Sequence, residues 1–127
     1  MIEVEKRDGS IVGFDSSKIF SAISKAFDSL HMEKDDAIIN LLVLRATADF
    51  QTKIKDNRIS VEMIQDSVEK ILSESGYYPV AKTYILYRKQ RENVRKIQST
   101  ANEYIHLVNS YLHDNVSLED ENSMATY

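Results

Sequence analysis

Apolar residues recur along most of the chain at the three- and four-residue spacing of amphipathic helices. The first such pattern follows Asp15 and Ser16, either of which can cap the start of a helix. Its apolar positions are Ile19, Ile23, Ala26, Phe27 and Leu30. A second helix is predicted to start near Asp35 or Asp36. This helix is expected to carry Ile38, Leu41, Leu42, Arg45, Ala48 and Asp49.

The next two apolar patterns predict a third and a fourth helix. Ser60 is the expected cap of the third helix, and Gly76 is placed to end it in a left-handed conformation. The predicted face of the third helix comprises Val61, Ile64, Val68, Ile71 and Leu72. Pro79 suits the first turn of the fourth helix, which we expect over residues 80–98. Helical spacing continues to residue 112, and residues 116–127 are then irregular and polar.

Short extended segments precede the first helix. Residues 3–6 and 11–14 flank the Asp8-Gly9 pair, which is a strong signal for a β-hairpin. Ile59 is expected to add a brief strand after the turn-prone Asp56-Asn57 pair. The predicted fold is therefore mostly α with a small N-terminal β element, in the α+β class.

Composition narrows the possible functions. The 127 residues are 43% hydrophobic and 28% charged, which is enough for one core with a solvated surface. No run of about 18 apolar residues is present, so a membrane span is not expected, and we expect a cytoplasmic protein. The chain has no cysteine and therefore no disulfide or thiolate metal site. A net charge of −4 argues against nucleic acid as a partner.

Common catalytic and nucleotide motifs are missing. Three glycines cannot form a G-x-G-x-x-G loop, and there is no P-loop or H-E-x-x-H sequence. The three histidines, His31, His106 and His113, are too dispersed to predict a metal site. We therefore expect no catalytic residue and no protein-bound metal in this chain.

Cations nevertheless gather at the start of this acidic chain. Lys6 and Arg7 precede the Asp8-Gly9 turn, and Lys18 lies in the first turn of the first helix. A cation is disfavoured at a helix N-terminus unless an anion such as phosphate compensates it. A second basic cluster is formed by Arg88, Lys89 and Arg91. The two clusters are either parts of an anion site or ordinary solvated surface charges.

Several stretches in order resemble one known domain. The sequence V-E-K-R-D-G is followed by F-D and then K-I at the start of an amphipathic helix. Further along are I-S-V-E-M-I-Q-D-S-V-E-K-I-L and V-A-K-T-Y-I-L-Y-R-K-Q-R. Residues 2–95 thus resemble the ATP-cone, the regulatory nucleotide-binding domain of many ribonucleotide reductases. The resemblance implies a four-helix bundle capped by a β-hairpin or small three-stranded sheet, with this domain over residues 1–96.

The resemblance also implies a ligand, which is ATP or dATP accompanied by Mg²⁺. It assigns the triphosphate to Lys6, Arg7, Lys18 and Lys89, with Arg88 and Arg91 in lesser roles. It assigns the base pocket to Val4 and Ile19, and it brings Ile64 and Gln65 close to the adenine. Val61 occupies a position where some family members have a hydroxyl residue. Asp15 either caps its helix, which we favour, or binds the sugar.

The last residues refine the resemblance. E-D-E-N-S-M-A-T-Y is similar to the segment with which anaerobic, class III ribonucleoside-triphosphate reductases enter their catalytic domain. Residues 97–127 are then a helical linker and the start of a catalytic domain. The fragment itself is expected to catalyse nothing. The parent would be a glycyl-radical reductase and a homo-oligomer, with the catalytic domain of the same chain as partner.

Two other functions are considered. An ATP-cone also occurs in transcriptional regulators of reductase genes, but there it follows paired cysteines, which this chain lacks. The second alternative is a helical interaction module without a ligand, which a failure to bind nucleotide would indicate.

Overall fold

A computed structural model describes residues 1–112, with side chains described for residues 1–109. It contains four helices and three short strands within these residues. In chain order they are β1 (Glu3–Glu5), β2 (Ile11–Gly13), α1 (Ser16–Ser29), α2 (Asp36–Phe50), β3 (Arg58–Ser60), α3 (Val61–Glu74) and α4 (Tyr78–Leu112). A single 3₁₀ turn, Gln51–Lys53, follows α2. The predicted α+β class is confirmed.

The chain divides into two compact units, and the division falls within α4. The first unit contains residues 1–86, with the sheet, α1, α2, α3 and the first residues of α4. The described part of the second unit is residues 87–112. None of the helices in the described part of the chain is both long enough and apolar enough to cross a membrane.

The predicted helix ends are confirmed by their hydrogen bonds. The Asp15 carboxylate accepts a hydrogen bond of 3.0 Å from the backbone N–H of Ser17 and caps α1. Ser60 caps α3 in the same way by accepting from Met63 N at 3.2 Å. Gly76 has a φ of +86°, the left-handed conformation expected after α3.

The three strands form a mixed sheet in the order β2-β1-β3. β1 pairs antiparallel with β2 through the predicted turn, where Gly9 has a φ of +87°. β1 pairs parallel with β3, so that Val4 lies opposite Ile59 and Glu5 lies opposite Ser60. The N-terminal strand is thus the centre of the sheet, and the expected brief strand at Ile59 is its parallel neighbour.

The core of the first unit lies between the sheet and the helices. The predicted face of α3 is buried in full, and that of α1 is buried except for the partly exposed Leu30. The beginning of α4 adds Val80, Ala81 and Tyr84 to this core. Phe14, just after β2, packs edge-on against Phe50 at the end of α2, with 5.5 Å between ring centroids.

The sequence predicts α2 but does not show which of its faces is buried. The buried residues are Ile39, Leu42, Val43, Ala46 and Phe50, so Leu42 alone of the six residues named for this helix lies in the core. Ile38, Leu41, Arg45 and Ala48 are exposed, and Asp49 is partly exposed. Leucine, isoleucine and alanine side chains of α2 itself occur on all sides of the helix. The apolar pattern alone therefore does not show which face packs against α1 and α3.

The fourth helix is longer than expected. α4 begins at Tyr78, places Pro79 in its first turn as predicted, and continues to Leu112 without an interruption near Thr100. The N-terminal part of the predicted linker is therefore helical. The tail motif, with Asn122 and Ser123, lies outside the described residues.

Candidate functional site

The hairpin loop and the start of α1 hold the first predicted cations. Lys6 and Lys18 are both half-buried. Hydrogen bonds from the Ser10 hydroxyl and backbone lower the pKa of Asp8, and the charge of Lys6 lowers it further. Ser17 lowers the pKa of Asp15 in the same way, with a smaller contribution from Lys18. Each lysine therefore lies near a carboxylate that stays ionised.

Arg7 turns away from the hairpin and contacts α3. Its Nη2 donates a hydrogen bond of 2.7 Å to Oε1 of Gln65, which is 4% exposed. Its Nε lies 2.8 Å from Oε1 of Glu62 as an ion pair. The Arg7 side chain is 15% exposed, whereas that of Glu62 is 52% exposed. One nearly buried guanidinium thus connects the hairpin loop to the first turns of α3.

The parallel pairing of β1 with β3 explains this contact. Glu5 and Ser60 are the last residues of the two strands and lie opposite each other. Arg7 and Glu62 each follow two residues later, so they reach the same level beyond the sheet. Gln65 follows Glu62 by three residues and therefore lies on the same side of α3. The sheet register thus fixes which residues of α3 the arginine can reach.

The ion pair lacks a well-directed hydrogen bond. Arg7 Nε is buried and donates no hydrogen bond to any group in the described part of the chain. The 2.8 Å distance to Glu62 is short enough for a hydrogen bond, but the Nε–H does not point at the carboxylate oxygen. Arg7 therefore has the charge of Glu62 nearby but an unused donor, which an acceptor in a different position could satisfy.

The residues predicted to contact the base lie in the core. Val4, Ile19 and Ile64 expose no surface, and Val61 and Gln65 expose almost none. The fold brings these residues together around the centre of the sheet and the start of α3. In this structure they are packed against other protein groups. A base could therefore contact Val4, Ile19 and Ile64 only after a shift of the hairpin or α1.

The second basic cluster belongs to the second unit. Lys89 lies 3.9 Å and Lys96 lies 3.3 Å from the carboxylate of Glu92 on the same helix. The hydrogen bond from Lys96 makes the largest contribution to lowering the pKa of Glu92, followed by the charge of Lys89. Arg88 and Arg91 are partly exposed and also have interactions of their own. Lys89 and Lys96 thus share one carboxylate along a single helix.

A surface cleft of about 700 Å³ lies elsewhere in the first unit. It is lined by Phe27, Met32, Glu33, Lys34, Asp35, Asp36, Ile38 and Tyr77. Lys34 is engaged by Asp28 at 3.0 Å, so three carboxylates dominate the lining. None of the predicted nucleotide-binding residues contributes to this cleft, and its charge disfavours a triphosphate.

Glu62 was missed by the sequence analysis. It is the second residue of α3, where a carboxylate is commonly explained by the helix dipole. Its position opposite Arg7 follows only from the parallel pairing of β1 with β3. Within the described residues, no group of three metal-ligating side chains is present.

Comparison with known families identifies the domain. The ATP cone domain family matches residues 2–93 of this chain. The chain therefore belongs to the ATP cone family, and the resemblance described above is confirmed.

Individual relatives are ribonucleotide reductases of different types. The chain is 36% identical over 120 residues to a ribonucleoside-diphosphate reductase subunit alpha of Chlamydia pneumoniae, with 88% of this chain and 12% of the relative covered. It is 40% identical over 103 residues to a vitamin B12-dependent ribonucleoside-diphosphate reductase of Thermoplasma acidophilum, with 74% of this chain and 12% of the relative covered. An anaerobic ribonucleoside-triphosphate reductase of Haemophilus influenzae is 32% identical over 96 residues, covering 76% and 13%. The chain thus spans about an eighth of the length of these relatives.

Proposed function

We propose that this domain binds ATP or dATP and thereby regulates the overall activity of a ribonucleotide reductase. The observation that carries the proposal is the match of residues 2–93 to the ATP cone family. The reductase names of the relatives described above favour this function over that of a transcriptional regulator. The fragment supplies the regulatory site, and catalysis belongs to the rest of the parent protein.

The geometry at the hairpin fits a phosphate ligand. Lys6 and Lys18 are two half-buried lysines, and Arg7 provides a buried Nε donor that makes no hydrogen bond within the described residues. All three side chains could donate charge-assisted hydrogen bonds to phosphate oxygens. Lys89, with Arg88 and Arg91 as lesser contributors, is proposed to add a phosphate contact.

The base would be recognised through residues next to the phosphate site. Gln65 is already oriented by Arg7, because a guanidinium only donates and must face the amide oxygen. After a shift of the hairpin or α1, Val4, Ile19, Val61 and Ile64 would supply the apolar contacts to the adenine. Asp15 retains its role as the cap of α1 in this proposal.

Magnesium is proposed to arrive with the triphosphate. Mg²⁺ commonly binds nucleotides through phosphate oxygens and water with few protein ligands. That mode suits a domain whose described residues contain no ready-made cluster of metal ligands.

Regulation requires the two nucleotides to act differently through one site. ATP and dATP differ by one 2′-hydroxyl, so that group must make different contacts in two states of the parent enzyme. In the proposal ATP permits activity and dATP inhibits it, through a change in subunit assembly or in the catalytic part.

Calorimetric titration of the 127-residue chain with ATP, dATP and GTP tests the proposed ligand. We expect ATP and dATP to bind more tightly than GTP, and removal of Mg²⁺ to weaken binding of the triphosphates. Equal affinity for GTP and ATP would contradict the adenine site. Unchanged affinity without Mg²⁺ would contradict only the role of the metal. Steady phosphate release from ATP that survives repurification would contradict the absence of catalysis in the fragment.

The type of parent reductase is a finer proposal. The similarity of residues 119–127 to the entry segment of class III enzymes favours an anaerobic glycyl-radical reductase in the cytoplasm that assembles as a homo-oligomer. The test is electron paramagnetic resonance of the full-length protein after anaerobic activation, where a glycyl-radical signal is expected. Reductase activity in air without that signal would assign the parent to another class.

A further inference from the structure

The ion pair between Arg7 and Glu62 places a carboxylate beside the buried arginine of the proposed phosphate site. A guanidinium that is 15% exposed is costly to leave without a counter-charge, and the uncharged amide of Gln65 does not provide one. Glu62, with Oε1 at 2.8 Å from Nε, does. The protein thus contains its own anion at this position.

Two features of the ion pair favour replacement of this internal anion. Arg7 Nε forms no hydrogen bond within the described residues, so at this atom Glu62 provides charge but no directed hydrogen bond. The Glu62 side chain is 52% exposed and can turn toward solvent without opening the core. Gln65, by contrast, is almost fully buried and holds Nη2 at 2.7 Å, which keeps the guanidinium in place when Glu62 leaves.

We infer that Glu62 is an internal counter-ion that competes with the ligand's phosphates for Arg7 and so limits the affinity of the site for charged nucleotides. This inference rests on the proposed function. A phosphate oxygen and the Glu62 carboxylate repel each other beside the same guanidinium, so binding requires Glu62 to move away. Glu62 is therefore a specificity-determining residue that makes the site respond to the number of phosphates on the ligand.

Removal of the negative charge should strengthen binding in proportion to ligand charge. In Glu62→Gln the amide no longer repels phosphate, and we expect ATP to bind about five-fold more tightly, the size of a partly exposed charge interaction. ADP should gain less, and adenosine should bind with unchanged affinity. The gain for ATP should decrease at high salt, because partly exposed charges are screened.

The matched control is Glu74→Gln. Glu74 is an exposed residue at the other end of α3, so this variant makes the same change of net charge far from Arg7. Its affinity for each ligand should equal that of the wild type. Glu62→Ala serves as a second variant that also removes the charge but cannot form an amide contact, and it should show the same order of ligands. Thermal unfolding without ligand establishes that each variant is folded.

The experiment is calorimetric titration of the wild-type chain and the three variants with ATP, ADP and adenosine at two salt concentrations. The inference is overturned if both Glu62 variants bind ATP with wild-type or weaker affinity while the wild type binds normally. It is also overturned if the gain is the same for ATP and adenosine, since the effect would then be one of packing. Failure of the folded wild type to bind ATP at all would overturn the proposed function, and the inference with it.

Discussion

The two groups of basic residues differ in how their partners are supplied. On α4, Lys89 and Lys96 approach Glu92 at spacings of three and four residues, so both ion pairs lie within one stretch of helix. At the hairpin, Arg7 reaches Glu62 and Gln65, which lie 55 and 58 positions further along the chain. The first arrangement needs only a helix, whereas the second needs the sheet and the packed core.

This difference separates ion pairs formed along one helix from contacts that depend on the tertiary fold. Pairs along an exposed helix are screened by solvent and contribute little to stability. A guanidinium held by groups from distant parts of the chain is fixed in position before a ligand arrives. Four experiments, taken from the largest expected effect to the smallest, test the contrast.

Arg7→Ala should have the largest effect on the ligand-free protein. It leaves the buried amide oxygen of Gln65 without its donor, which costs about 1–3 kcal/mol of unfolding free energy. Arg58→Ala is the control, since that arginine is exposed and lies 3.9 Å from Glu3. Urea unfolding without nucleotide measures both, and equal losses for the two variants would show that Arg7 is an ordinary surface residue.

Lys6→Ala and Lys18→Ala should each weaken ATP binding about tenfold, because each removes one charged hydrogen bond to phosphate. Both variants should keep wild-type unfolding, and loss of Lys18 from a helix N-terminus should be neutral or slightly stabilising. The control is Lys25→Ala, which removes the same charge from an exposed position on α1. If Lys18→Ala melts earlier and binds ATP normally, its role is structural and the proposed phosphate site is wrong.

Lys89→Ala should weaken ATP binding by a smaller amount, about threefold, because its ammonium is solvated and shared with Glu92. Lys96→Ala removes a cation from the same network and should leave the affinity unchanged. The measurement is again calorimetry with ATP. Identical affinities for the two variants would remove Lys89 from the site and leave the hairpin cations as the phosphate ligands.

Acidification should produce the smallest change. The serine hydrogen bonds to Asp8 and Asp15 hold their pKa values below the ordinary value, and the hydrogen bond from Lys70 does so for Asp49. A lowered pKa in the folded state contributes stability above the unfolded pKa, about 3.9, and this stability is lost as the pH falls through the folded value. Unfolding free energy should therefore be level from pH 7 to about 5 and decline slightly below 4. Asp15→Asn should make that decline shallower, and an unchanged slope would contradict the assignment.

Local chemistry made much of the fold predictable. Asp15 and Ser60 mark the starts of helices, because their side chains accept hydrogen bonds from backbone N–H groups. Gly76 marks a position that requires a left-handed backbone. The faces of α1 and α3 are separated cleanly into apolar and polar sides. The buried face of α2 could not be predicted, because the helix has apolar side chains on every side. Its packing against the neighbouring helices decides which side is buried.

The grouping of the cations is visible in the sequence, whereas their contacts are not. Lys6, Arg7 and Lys18 stand out because they are grouped beside a turn in an acidic chain. The partnership of Arg7 with Glu62 depends on a parallel register between β1 and β3, and no local pattern encodes that pairing. Likewise, the complete burial of Val4, Ile19 and Ile64 is a property of the assembled core.

The central position of β1 has a consequence for the order in which the domain folds. Val4 pairs with Val12 across 8 residues and with Ile59 across 55 residues, so closing the second pair costs about 1.7 kcal/mol more in chain entropy. The hairpin can form as soon as it is synthesised, whereas β3 can join it only after α1 and α2 have been made. Arg7 therefore acquires Glu62 and Gln65 only at the step that closes the sheet.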